Sequence, residues 1–251
     1  MREEFGDDYL IINGAIFLSE IKTYLLRSCL CADTDVLDIT SLTLQVSFIA
    51  TFISIVVGVP AGVWMALNAF RGKALLCALL NFGMGLPPVV VGLMVSLLLW
   101  RYGPLGELGW MYTPKAMVIV QSIVAIPIVA SLSFSAICSL NSKLYLQLLS
   151  LGASQWQAQL LLVREARIGL MAAVIAGFGR VVSEVGASMM VGGNIRGQTR
   201  VLATATVMEV GKGNYDVALA IGVILLLVTF IIVWLMTYLQ HQNTKVSPHE
   251  R

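Results

Sequence analysis

The chain has 251 residues, 58% of them hydrophobic and 12% charged, with a mean hydropathy of +0.85. This is far more apolar than a soluble domain of ordinary make-up and reads as an integral membrane protein with one membrane domain. A net charge of +2, with basic residues scattered along the chain, argues against nucleic-acid binding.

The opening MREEFGDDYL is acidic where a secretory signal needs a basic region, and no small-residue cleavage site follows, so the N-terminus reads as retained. Over residues 9–30, Leu18, Ile21 and Leu25 fall at helical spacing but are interrupted by Glu20, Lys22 and Arg27. That pattern predicts an amphipathic helix at the membrane surface within an N-terminal segment 1–38, a sixth span being the other reading. The first span is expected over 39–70, with Gly58, Pro60 and Gly62 in its later half, and a basic turn over 71–73.

Span two is expected over 74–100, kinked or broken at Pro87 and Pro88. A loop rich in Gly, Pro, Trp and Tyr over 101–115 precedes span three at 116–140, which contains Pro127. Residues 141–167 form helix readily but are too polar to span. Span four carries Arg180 and Glu184, a glycine-rich loop is expected over 192–213, and span five over 215–240 leads into a polar tail, 241–251. Alternating sides put Arg71, Lys73, Lys143, Arg164, Arg167, Lys245 and Arg251 on the face favoured as cytoplasmic, and Arg101, Lys115, Arg196, Arg200 and Lys212 on the other.

Chemistry-bearing motifs are few. GGNIRGQT, 192–199, approaches a phosphate-binding loop, but Gln198 stands where the lysine is required, so it reads as a flexible outer loop. Cys29, Cys31, Cys77 and Cys138 read as small apolar fillers, and His241 and His249 as solvated tail residues, leaving no metal site signalled. No nucleophile or metalloprotease motif appears, so any ATP hydrolysis belongs to another chain.

Arg180 and Glu184 stand out, because a lone charge in mid-span costs about 2.5–3.5 kcal/mol on insertion scales. At i and i+4 they can pair on one helix face, with Ser183 and Ser188 nearby. Three readings stay open: a buried pair holding helices together, a polar constriction on a solute path, or a gate whose pairing changes.

The stretch LSLGASQWQAQLLLVREARIGL places Leu151, Gly152, Ala153 and Ser154 in a turn ahead of a polar helix on the basic face. It resembles the "EAA" loop of permease subunits of type I ATP-binding-cassette importers, although Leu146, Gln147 and Leu148 replace the usual Glu-Ala-Ala. Residues 84–109, 162–195 and 199–227 look like permeases of tungstate importers, the TupB type, with molybdate permeases next and sulfate permeases further off. The resemblance covers about 39–240 and implies an all-α, MetI-like membrane domain with five transmembrane helices. It also implies a coupling loop within 141–167, with Leu148, Leu149, Ser150, Leu151, Gly152, Ala153 and Ser154 meeting the ATPase.

The same resemblance implies a second copy of the chain, two cytoplasmic ATPase subunits that bind ATP and magnesium, and an extracytoplasmic tungstate- or molybdate-binding protein. No cofactor is expected in this chain, and the membrane is the bacterial or archaeal cytoplasmic one. Arg196, Arg200 and Lys212, on the face opposite the cytoplasm, read either as ordinary solvated loop residues or as contacts for the anion or the binding protein. The rival classes are a channel or secondary transporter working without an ATPase, and a purely structural membrane subunit. Against the carrier, the mid-span charges concentrate in span four and no inverted repeat is evident.

Overall fold

The structure, a computed structural model, describes residues 34–242 and holds ten α-helices, one 3₁₀ turn and no strand among them. The amphipathic segment expected over 9–30 and the tail beyond 242 lie outside the described residues. Helix α1, Thr34–Leu67, begins ahead of the expected residue 39. Its Thr40 and Thr43 hydroxyls donate to the carbonyls of Val36 and Ile39, so these short polar side chains are satisfied within the helix. The basic turn forms as expected: Gly72 takes φ +97°, and Lys73 Nζ donates to the carbonyls of Ala66 and Asn68, which would otherwise be orphaned at the helix end.

Span two is two helices, α2 (Lys73–Gly85) and α3 (Pro88–Leu99), bent by 97°. Pro88 sits at the first position of α3, where its missing N–H is tolerated and its presence ends the preceding helix. A 3₁₀ turn, Gly106–Leu108, leads to α4, Pro114–Cys138. The polar stretch folds as α5 (Ser142–Ser150) and α6 (Gln155–Glu165). Span four, expected as one helix, is also two: α7 (Arg167–Val182) and α8 (Gly186–Gly192), bent by 56°. The expected loop 192–213 contains a helix, α9 (Leu202–Gly211), before α10 (Tyr215–Gln242).

Three of these helices are individually long and apolar enough to cross a membrane, and counting each bent pair as one crossing gives five. Helix α4 is the hub, packing against α1, α2, α3, α7 and α8. Lipid tails are as apolar as leucine, so helices associate through close backbone approach rather than hydrophobic burial. The sequence supplies the small residues for it. Gly58 and Gly62 form a G-x-x-x-G stripe on α1: a Cβ at Gly58 would stand 3.0 Å from Val129 Cβ, and one at Gly62 would collide with the Ala130 carbonyl oxygen. On α7, Gly169, Ala173 and Gly177 repeat the spacing, and Cβ atoms at the two glycines would meet Ala136 and Val129 at 2.6 and 2.5 Å. Gly83 of α2 lies against Pro127 in the same way.

These contacts fix direction. Gly58 and Gly62 advance along α4 with increasing residue number, so α1 and α4 are parallel, whereas Gly169 and Gly177 meet Ala136 and Val129 in reverse order, so α7 is antiparallel. The starts of α1 and α4 and the loop after α8 share one end of the bundle, and the α5–α6 turn lies at the other. Helix α10 packs on α9 and α7, but only 17% of its apolar window is buried, so most of it faces outward.

Candidate functional site

The α7–α8 break explains how two charges are kept in an apolar segment. Ser183 ends α7, its hydroxyl donating to the carbonyls of Gly179 and Arg180. Glu184 follows in the break, almost wholly buried, and its Oε1 accepts the backbone N–H of Ala187 at 3.0 Å. The carboxylate thus satisfies an orphan donor in the first turn of α8, where negative charge also complements the helix dipole. Its other oxygen lies 3.6 Å from Arg180 Nη2, whose side chain is about one-third exposed. The two residues pair as their spacing predicts, but across a helix end rather than along one continuous helix face.

Ser183 and Ser188 part company. Ser183 is exposed beside Arg180, while Ser188 is buried and its hydroxyl accepts from Gln121 Nε2 of α4 at 2.9 Å. Gln121 is itself buried, and its Oε1 finds no partner among the described residues. Sequence reasoning missed this residue; the signal was an amide directly after the apolar run AMVIV. The break in span two lies alongside. A Cβ on Gly186 would strike Val89, and one on Gly92 would stand 2.8 Å from Ala187 Cα, so α3 and α8 are in backbone-close contact.

At the opposite end, α5 and α6 are joined by Leu151–Ser154. Gly152 has φ +86° with open space around its Cα, and Ser154 caps α6 in a box with Gln157. Leu148, Leu149 and Ala153 are partly covered, Ser150, Gly152 and Ser154 exposed, and Leu151 is 84% exposed with Trp156 close behind at 75%. Helix α6 leans on the end of α1, where Trp64, Leu67, Trp156 and Leu160 line a cavity of about 240 Å³.

Arg196, Arg200 and Lys212 each have a partner. Arg196 pairs with Asp35 of α1, Arg200 Nη2 donates to the Asn194 carbonyl at 3.4 Å, and Lys212 Nζ donates to Glu209 Oε1 at 2.7 Å. The Lys212 hydrogen bond, and then one from Asn214, hold the Glu209 carboxyl below its ordinary range. The loop carrying Arg196 and Arg200 is not flexible in the way its glycines suggest. Buried Thr199 donates to the Gly192 carbonyl and accepts from Ile195 N, Thr204 donates to Asn194, and Leu202 N donates to Thr43 of α1.

The sequence profile of a family described as "Binding-protein-dependent transport system inner membrane component" matches residues 58–245. The chain belongs to that family. Among relatives of this transport-system membrane component, a probable anion ABC transporter permease protein of Haloferax volcanii is 40% identical, over 77% of this chain and 85% of its own length. The tungstate uptake system permease protein TupB of Peptoclostridium acidaminophilum is 39% identical over 80% and 88%.

Solved structures support the fold. The inward-facing MetNI methionine ABC transporter aligns with TM-score 0.62 at 21% identity, covering 81% of this chain and 92% of that one. A bacterial alginate ABC transporter in complex with its pentasaccharide-bound periplasmic protein gives 0.67 at 17%, covering 97% and 96%. The all-α, MetI-like expectation therefore holds, and this family member is an integral membrane protein.

Proposed function

We propose that this chain is the membrane-spanning subunit of an ATP-driven importer for a tetrahedral oxoanion, tungstate first, with molybdate and then sulfate behind it. The observation that carries this reading is the 39–40% identity, over about four-fifths of the chain, to one permease named for anions and another named for tungstate uptake. Permeases named for molybdenum and sulfate are 28% and 29–30% identical. Hydrolysis belongs to a separate pair of ATPase subunits that bind ATP and magnesium, and this chain transduces it.

The turn over 148–154 is the element that meets the ATPase: Leu151 and Trp156 are large apolar groups in the open at the cytoplasmic end, as a docking surface requires. Two copies of the chain enclose the path, in the cytoplasmic membrane. Arg180, Glu184 and Ser183 border that path; Arg180 and Ser183 are accessible, while Glu184 fixes the α8 half-helix behind them. A binding protein delivers the anion at the end bearing Arg196, Arg200 and Lys212, and their internal partners leave electrostatic approach, rather than tight anion capture, as their contribution.

The test is ATP hydrolysis by the chain reconstituted with its ATPase and binding protein. Stimulation by tungstate-loaded more than molybdate-loaded binding protein supports the assignment. Ion flux through the chain without the ATPase overturns it in favour of a channel or secondary carrier.

A further inference from the structure

At the end of the bundle away from the α5–α6 turn, α1 directs Asp35, Asp38, Leu42 and Gln45 toward the loop after α8. Between them lies a cavity of about 340 Å³, its far wall made by Arg196, Gln198 and Arg200. Leu42 and Gln45 also line a second cavity of about 300 Å³, which continues along α1 past Val46 and Ile49 and is walled by Trp110, Lys115, Val118 and Ile119. The two cavities share Leu42 and Gln45 and so adjoin along one face of α1, the first lined by charged residues and the second mainly by apolar ones.

We propose that these adjoining cavities bind a zwitterionic phospholipid, its phosphodiester at Arg196 and Arg200, its ammonium at Asp35 and Asp38, and one acyl chain along Leu42, Val46 and Ile49. The charges select the headgroup. Two carboxylates and two guanidiniums leave the cavity with no net charge, so neither a free dianion nor a free cation is matched by it alone. A dipolar headgroup satisfies both pairs. Arg200 Nε is buried without an acceptor among the described residues, and the guanidinium's contact with the Asn194 carbonyl is long at 3.4 Å, so Arg200 retains hydrogen-bonding capacity that a phosphate could use. Arg196 and Asp35, which pair with each other, exchange that contact for the phosphate and the ammonium.

The dimensions agree. From Asp35 to Ile49 a helix rises roughly 21 Å, enough to run from the headgroup layer through the roughly 15 Å of one hydrocarbon leaflet. Trp110, with Lys115 Nζ 5.9 Å from its ring centroid, sits at the start of α4 with the amphipathic character of an interfacial anchor. The wall is preformed, because Thr199, Thr204 and Thr43 pin the loop before any ligand arrives. None of this depends on which anion the protein carries.

The experiment is native mass spectrometry of the purified full-length chain in detergent, titrated separately with phosphatidylethanolamine, phosphatidylglycerol and sodium tungstate, alongside thermal unfolding of each variant. Wild type should hold one phosphatidylethanolamine per chain. Arg200→Gln should weaken its retention at least fivefold, and Asp38→Asn should erase the preference over phosphatidylglycerol. Ile49→Trp, at a half-exposed position that fills the apolar end, should weaken both lipids without lowering the thermal midpoint. Undiminished phosphatidylethanolamine in Ile49→Trp overturns the proposal, as does wild type that retains none. Tungstate binding that is lost in Arg200→Gln but kept in Ile49→Trp also overturns it, by making the cavity an anion site.

Discussion

Glu184 Oε1 accepts the Ala187 backbone N–H at 3.0 Å, so a carboxylate that looks misplaced in an apolar span is the cap of the half-helix that follows it. Its two oxygens have separable tasks, one holding α8 and the other facing Arg180. Glu184→Gln keeps an acceptor for Ala187 and removes the charge, whereas Glu184→Ala removes both. The alanine variant should lose about 0.5–2 kcal/mol, the worth of a helix cap. The glutamine variant should keep its abundance and thermal midpoint while anion uptake falls severalfold. Parallel loss of uptake and abundance in Glu184→Gln would reduce the pair to a structural role.

Gln121 and Ser188 lend themselves to a double-mutant cycle. Ser188→Ala leaves the Gln121 amide with no partner on either atom, and Gln121→Leu strands the Ser188 hydroxyl. Each single change should cost about 1–3 kcal/mol, the penalty for an unsatisfied buried polar group. The double variant should lose less than the sum, as groups in direct contact do. Additive losses in detergent unfolding would mean that the bond contributes nothing.

Three glycines separate close packing from backbone conformation. Gly62→Ala drives a methyl into the Ala130 carbonyl and should destabilise by about 1–3 kcal/mol. Gly72→Ala meets no atom but must hold φ +97°, costing about 1 kcal/mol or more. Gly85→Ala, with open space and no positive φ, should be neutral or slightly stabilising. The rank order of thermal midpoints checks all three.

In the α5–α6 turn, Leu151 touches little of its own chain, so Leu151→Ala should leave the thermal midpoint within a degree or two while lowering binding-protein-stimulated ATP hydrolysis severalfold. Gly152→Ala should lower both the thermal midpoint and the stimulated hydrolysis, because φ +86° is strained for alanine. Unchanged stimulated hydrolysis in Leu151→Ala would remove this turn from the coupling surface.

The Glu209 carboxyl is held below its ordinary value of 4.5, chiefly by the Lys212 hydrogen bond. A depressed folded-state pKa contributes stability that is present above 4.5 and lost as pH falls through the lowered value. The difference in thermal midpoint between wild type and Glu209→Gln should therefore be constant near neutrality and shrink below pH 4.5. It should also be smaller in high salt, because Lys212 is half exposed. A difference that grows on acidification contradicts this assignment.

How much of this was readable beforehand depended on the range of the interaction concerned. Pro87 and Pro88 announce the first break because their ring chemistry is local, and Ser154 with Gln157 announces the start of α6 in the same way. The second break carries no proline. It forms where Glu184 caps α8 and where Gly186 lies too close to Val89 for a side chain, a contact across almost a hundred residues that no local pattern reveals. The start of α9 was hidden for the same reason: Leu202 N is satisfied by Thr43 of α1, a partner 159 residues away, so no local cap announces the helix. The Arg180–Glu184 pair was legible from spacing alone, but Gln121 as the partner of Ser188 was not.

Helix α4 grips α1, α2 and α7 through their glycines, yet it is made third among the crossings. While the ribosome extends the chain from Leu67 to Cys138, roughly 4–14 s at ordinary elongation rates, α1 must wait in the bilayer with its Gly58–Gly62 stripe uncovered. Biogenesis therefore passes through an interval in which the best-fitted surface of the protein is open to any other passing helix, and residues 114–138 close it.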